Sequence, residues 1–187
     1  MTQILIVLLM LVAVFLDQIS KYLVVIYMEL GQSVEVIPGI FRFTYVQNKG
    51  AAFGSLSDSR WLFMVLSSVA IAGILGYIFW KKPQNKLLLS SLILIVGGGI
   101  GNMIDRVRLG YVIDFLDFCA FPKIWMWVFN VADSFVVVGA GMLILWMILD
   151  MIEESKREKE KRAAELAAQE GEQQASDSAD NGGADEQ

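Results

Sequence analysis

Apolar residues along this chain gather into four long runs, at about 4–28, 61–80, 87–104 and 128–152, with most polar residues between them. A helix needs about 20 mostly apolar residues to cross roughly 30 Å of hydrocarbon, so each run reads as one membrane span. The first contains ILIVLLMLVAVFL, which looks like the core of a cleaved signal peptide. No basic stretch precedes it, no small-x-small cleavage site follows it, and the apolar run resumes after Lys21, so it is read as a retained span.

The connections between the spans differ in character. KKPQNK, residues 81–86, puts three lysines in six positions, and ESKREKEKR, residues 154–162, puts five bases in nine. Basic loops stay in the cytoplasm, which predicts that both termini lie there and that connections 29–60 and 105–127 lie outside. In the first outer connection FRFTYV alternates, with Phe41, Phe43 and Tyr45 on one face, as in a half-buried strand. VEVIPGIF, turning at Pro38-Gly39, completes a small hairpin on the membrane surface. The second outer connection mixes acids with Tyr111, Phe115, Phe118, Trp125 and Trp127, a composition suited to an interfacial segment with aromatics at headgroup level. The expected fold is an α-helical membrane protein of four transmembrane helices with a small extracytoplasmic β-sheet and that interfacial segment.

Composition narrows the chemistry. The 187 residues are 56% hydrophobic, too apolar for an ordinary soluble domain. All 15 bases and 13 of the 20 acids precede residue 163, so residues 1–162 carry +2, and the 7 acids of the last 25 residues bring the chain to −5. That acidic stretch, rich in small residues and free of aromatics, reads as a solvated, disordered tail. The expected organisation is a membrane domain at 1–155 and a cytoplasmic charged, then acidic extension at 156–187. There is no histidine and a single cysteine, Cys119, which excludes histidine-dependent catalytic triads, histidine-based zinc sites and an internal disulfide. Carboxylates, amides, hydroxyls, Lys and Arg must carry any reaction; no metal, cofactor or nucleic-acid partner is expected.

With that topology the polar residues of the spans converge on the outer side. Asp17 and Lys21 fall in the outer half of span one, Asn102, Asp105 and Arg106 at the outer end of span three, and Asn130 and Asp133 in the first turns of span four. Asn48 and Asp114 lie in the outer connections themselves. Ionisable groups at such depth mark a functional site unless they only pair with one another. Asp17 and Lys21, four apart, could be no more than an ion pair. Asp105 reads as the end of span three and Asp117 as a solvated acid. The glycines of GGGIGN, 97–102, read as close-packing positions. Asp114 and Asp133 are 19 residues apart, but Pro122 lies between them and breaks a continuous helix, so the chain can fold back and bring them together. Two facing carboxylates in a desolvated site share a proton, as in aspartic proteases.

DQISK (17–21), NKGAAFG (48–54), GNMIDR (101–106), VIDF (112–115) and FNVADS (129–134) occur together, in that order, on four spans. This set resembles the signal peptidase II family, the lipoprotein signal peptidases, which are bacterial membrane aspartic peptidases. The resemblance implies that Asp114 and Asp133 are the catalytic pair. It implies that Asn102 and Arg106 contact the substrate backbone or globomycin-type peptide inhibitors, that Asn130 stands near the pair, and that Asn48, Asp17 and Lys21 complete the motif set. It further implies a lipid-modified prolipoprotein substrate, cut on the amino side of a diacylglyceryl cysteine at the outer face of the bacterial inner membrane. Membrane lipid as partner and a monomeric state are expected with it. The alternative from the residues alone is a small proton- or cation-coupled transport protein. Clustering of the charges on one side and the absence of an inverted repeat count against it.

Overall fold

The computed structural model describes the backbone of residues 2–50, 60–120 and 127–181, and side chains as far as residue 162. Four helices are long and apolar enough to cross a membrane: α1 (Gln3–Tyr27), α2 (Arg60–Lys81), α3 (Lys86–Arg108) and α4 (Val131–Asn181). Their starts follow local chemistry. Asn85 caps α3 by accepting from the Leu88 N–H at 3.1 Å. At α4, Asn130 and Asp133 form a reciprocal capping box. The Asn130 side chain accepts from the Asp133 N–H at 2.9 Å, and the Asp133 carboxylate accepts from the Asn130 N–H at 3.3 Å. Asp133, the first acid of span four, is therefore also part of the helix start.

The chain divides into two compact units, Met1–Ile144 and Leu145–Gln187. In the second, where a disordered tail is expected from composition, the backbone is helical as far as Asn181. The stretch is dense in Ala, Glu, Gln and Lys, which are strong helix formers.

In the first unit α3 is the most enclosed helix, with Val96, Gly97, Gly98, Gly101, Asn102 and Asp105 among its buried residues. Neighbouring backbones come very close at its glycines, as GGGIGN predicts. A Cβ on Gly98 would overlap the Ala132 carbonyl oxygen of α4, and one on Gly101 would overlap the Asp17 carboxylate of α1. Lipid tails are as apolar as leucine side chains, so helices in a membrane gain little from burying apolar surface against one another. Close approach through small residues and polar contacts must hold them instead. Leu8, Leu11 and Phe15 of α1 are accordingly left exposed, where lipid would cover them.

A four-stranded antiparallel sheet lies at the end of α1, in the order β1 (Ser33–Ile37), β2 (Phe41–Asn48), β3 (Val112–Phe118), β4 (Val128–Phe129). The predicted hairpin is present, with Gly39 at φ +68° in its turn. The second outer connection does more than the sequence reading assigned to it, because it supplies β3, and the first residues of the fourth apolar run form β4 ahead of α4. Phe115, expected at headgroup level, is buried with Val24, Tyr45 and Ile113 in a small core between sheet and helix. Asp117, expected to be solvated, is 8% exposed and lies opposite Arg42, whose Nε donates to it at 2.6 Å; Thr44 donates to it at 2.8 Å. Pro122 and Trp125 fall outside the described residues, as do positions 51–54 of NKGAAFG.

Replacing Gly98 with leucine should lower the unfolding midpoint of the detergent-solubilised protein, at a cost on the order of 1–3 kcal/mol or more from overpacking. An unchanged midpoint would contradict the close α3–α4 approach.

Candidate active site

Strand β3 carries Asp114, 2% exposed, with its carboxylate toward the start of α4. Its Oδ2 accepts from Asn48 Nδ2 at 2.8 Å, and its Oδ1 from Asn130 Nδ2 at 2.6 Å. β2 and β3 are in register so that Asn48 pairs with Val112, which sets the amide of Asn48 beside Asp114. An irregularity between Phe43 and Val46 shifts that register just before Asn48.

Asp133 is fixed by α4 itself through the capping box. Its Oδ1 also accepts from Asn102 Nδ2 at 2.7 Å. Asn130 Nδ2 donates to Asn102 Oδ1 as well, at 3.0 Å, so one asparagine touches Asp114, Asn102 and the Asp133 backbone. The two carboxylates separated by 19 positions therefore meet around Asn130, and the convergence predicted from topology is present. Asp133 is half-buried and more open than Asp114.

Behind this pair lies a second polar layer. Lys21 Nζ donates to Asp17 Oδ2 at 2.8 Å and to Asn102 Oδ1 at 2.9 Å, and it stands 2.9 Å from Asp105 Oδ2. Asp17 and Lys21 do pair at i,i+4, but not alone. Asp105, read from sequence as a span terminus, is 3% exposed and belongs to the same cluster. Gln18 was missed: its amide donates to Asp105 Oδ1 at 2.9 Å and to Asp17 Oδ2 at 3.2 Å. Its only sequence signal was its place inside DQISK, since its partner on α3 is 87 positions away. Arg106 Nη1 donates to the Asn102 carbonyl at 3.3 Å. No buried side-chain N or O among the described residues lacks a hydrogen-bond partner.

The electrostatics of Asp114 follow from this packing. Burial pushes its carboxyl up from 3.8 to about 7. The neighbouring Asp133 pushes the same way, while the Asn48 and Asn130 hydrogen bonds and the Lys21 charge pull it back. A carboxyl that exchanges its proton near neutrality, beside a second and more open carboxylate, can donate and accept protons in one reaction.

A family model described as Signal peptidase (SPase) II matches residues 9–149. The lipoprotein signal peptidase of Halothermothrix orenii is 47% identical over 137 residues, covering 73% of this chain and 90% of that protein. That of Caldanaerobacter subterraneus subsp. tengcongensis is 51% identical over 135 residues, covering 72% and 90%. A solved bacterial membrane enzyme, determined by the in meso method at 2.3 Å resolution, superposes with a TM-score of 0.71 at 31% identity, covering 78% of this chain and 88% of that one.

Between pH 3.8 and about 7 the folded chain holds an Asp114 proton that the unfolded chain has released. This group's share of stability is thus present in acid and lost as pH rises through that window. Asn48→Ala removes a hydrogen bond to the charged form, so the Asp114 midpoint, followed by infrared absorption of the protonated carboxyl, should rise above 7. A fall would contradict the contact.

Proposed function

This chain belongs to the signal peptidase II family, and we propose that it removes signal peptides from lipid-modified prolipoproteins with Asp114 and Asp133 as its catalytic pair. The observation that carries this reading is the meeting of the two carboxylates around Asn130, joined to both by hydrogen bonds. It is a membrane aspartic peptidase, a hydrolase of the bacterial membrane.

The arrangement supports a division of labour. Asp114, buried and titrating near 7, holds the shared proton at neutral pH; Asp133, the less buried of the two, is the ionised base. Water gives a proton to Asp133 as its oxygen bonds to the scissile carbonyl carbon. The Asp114 proton goes to the carbonyl oxygen, and Arg106 stands ready to steady charge there. Collapse of the tetrahedral intermediate breaks the C–N bond. The proton held by Asp133 goes to the leaving amine of the lipidated cysteine, and Asp114 regains its own from the hydroxyl. Asn48, Asn102 and Asn130 fix the carboxylates through their side-chain amides. Asn102 and Arg106 are the pair assigned to the backbone of the extended substrate and of globomycin-type peptides.

The orientation belongs to this proposal too. The polar cluster lies at the α1 and α3 ends opposite Lys81, Lys82 and Lys86. Basic loops stay inside, so the termini are cytoplasmic and the site faces outward. Signal peptide and diacylglyceryl cysteine then both arrive from the bilayer, with acyl chains left in lipid at about 0.8 kcal/mol per buried CH₂. The chain is taken to act as a monomer. The peptidase unit is taken as 1–155, with 156–187 an extension outside it.

Purified Asp114→Asn and Asp133→Asn proteins should each lose cleavage of a lipidated precursor by on the order of 10³-fold or more; near wild-type rates would overturn the pair. For the wild type, kcat/KM against pH should be bell-shaped. Its alkaline limb should lie near pH 7, because above it both carboxylates are charged. A flat profile from about pH 4 to 9, with chemistry rate-limiting, would refute the shared proton.

A further inference from the structure

We propose that Lys21 is the positioning residue of the catalytic pair: its one ammonium fixes where Asp114 and Asp133 stand relative to each other. The proposal rests on the reading of those two aspartates as catalytic. Lys21 is 2% exposed, and its ammonium has three acceptors inside the protein, one for each N–H.

Each of those three contacts leads to the pair. Asp17, held through Oδ2, accepts the Ala132 N–H on Oδ1 at 2.9 Å, and Ala132 is the residue before Asp133. Asp105, held through Oδ2, accepts the Ile113 N–H on that same oxygen at 3.2 Å, and Ile113 is the residue before Asp114. The third contact goes to Asn102 Oδ1. Because that oxygen faces an ammonium, the other end of the carboxamide must be the donor, and it is this Nδ2 that reaches Asp133. Two acids on different helices thus grip the backbone one position before each catalytic acid, and one cation holds both. The parts gripped are a strand and a helix start distant in sequence, so neither can set the spacing of the carboxylates alone. Proton transfer is sensitive to such spacing, and a displacement of about 1 Å can cost on the order of 100-fold in rate.

The competing account is that Lys21 only neutralises two buried carboxylates. The two differ in a charge-compensated double variant, Lys21→Met with Asp105→Asn, which keeps the net charge of the cluster but has no ammonium. Positioning predicts that this protein loses kcat on lipidated precursor by about 100-fold with KM changed by less than about threefold, since Lys21 is buried behind the pair. Recovery of wild-type kcat would overturn the proposal, as would a KM effect with kcat unchanged. If the double variant does not fold, single variants decide. Asp105→Asn keeps an acceptor for the Ile113 N–H and should retain at least about ten times the kcat of Asp105→Leu at equal KM; equal kcat values would overturn it. Asp133→Asn, assayed alongside, separates the two levels. If that control cleaves normally the catalytic reading itself falls; if it is dead while the Lys21 double variant is fully active, only the positioning role falls.

Discussion

A buried ammonium that finds two carboxylates and a carboxamide oxygen is the contact on which this structure turns. In lipid, apolar helix faces have no reason to prefer one another over acyl chains. The Lys21 cluster supplies that preference by joining α1 to α3 through Asp105 and Asn102, and α1 to the head of α4 through the Asp17 acceptor on Ala132. Removing one member would leave a charge or donor unpaired where water cannot reach it, which costs far more than a surface pair. Glycines let the backbones come close enough for these short side chains to meet, and Gly101 gives up its Cβ to make room for the Asp17 carboxylate itself.

The same sharing of parts marks the carboxylate pair. FNVADS is at once a helix cap and the lower half of the site, because Asn130 and Asp133 satisfy each other's backbone N–H groups while their remaining atoms face Asp114 and Asn102. An aspartate held by a capping box cannot wander, and a strand locked to Asp105 presents Asp114 opposite it. The environments then diverge: one carboxyl is sealed under the sheet and the other stays half-open. Divergent surroundings let two identical side chains act as acid and base.

Much of this was legible beforehand, for reasons tied to particular residues. Hydropathy marks a span whatever packs against it, so α1, α2 and α3 fall within a few residues of the apolar runs and α4 starts within a few of its own, although its helix continues to Asn181. FRFTYV has one wet and one dry face, and its alternation shows. VIDFLDF does not, because Val112 to Phe115 are all buried and continuous burial erases a two-residue period. Its strand character, and with it the buried state of Phe115 and Asp117, was therefore hidden. Arg42 faces Asp117 across 75 positions, and Gln18 faces Asp105 across 87. Such pairings depend on register and helix rotation, which local sequence does not encode. The signal peptidase II motifs contain the residues that the structure brings together, but do not show the contacts from Ala132 and Ile113 that connect them.

The claim at the centre of the account is that Asp114 and Asp133 face one another as a coupled pair. The direct measurement is the Asp114 titration, read from infrared absorption of its protonated carboxyl, in the wild type and in Asp133→Asn. The Asp133 charge is one of the influences holding the Asp114 carboxyl up at about 7, so its removal should lower the midpoint. A midpoint that stays in place would mean the two carboxylates do not feel each other, and the shared-proton account would be wrong.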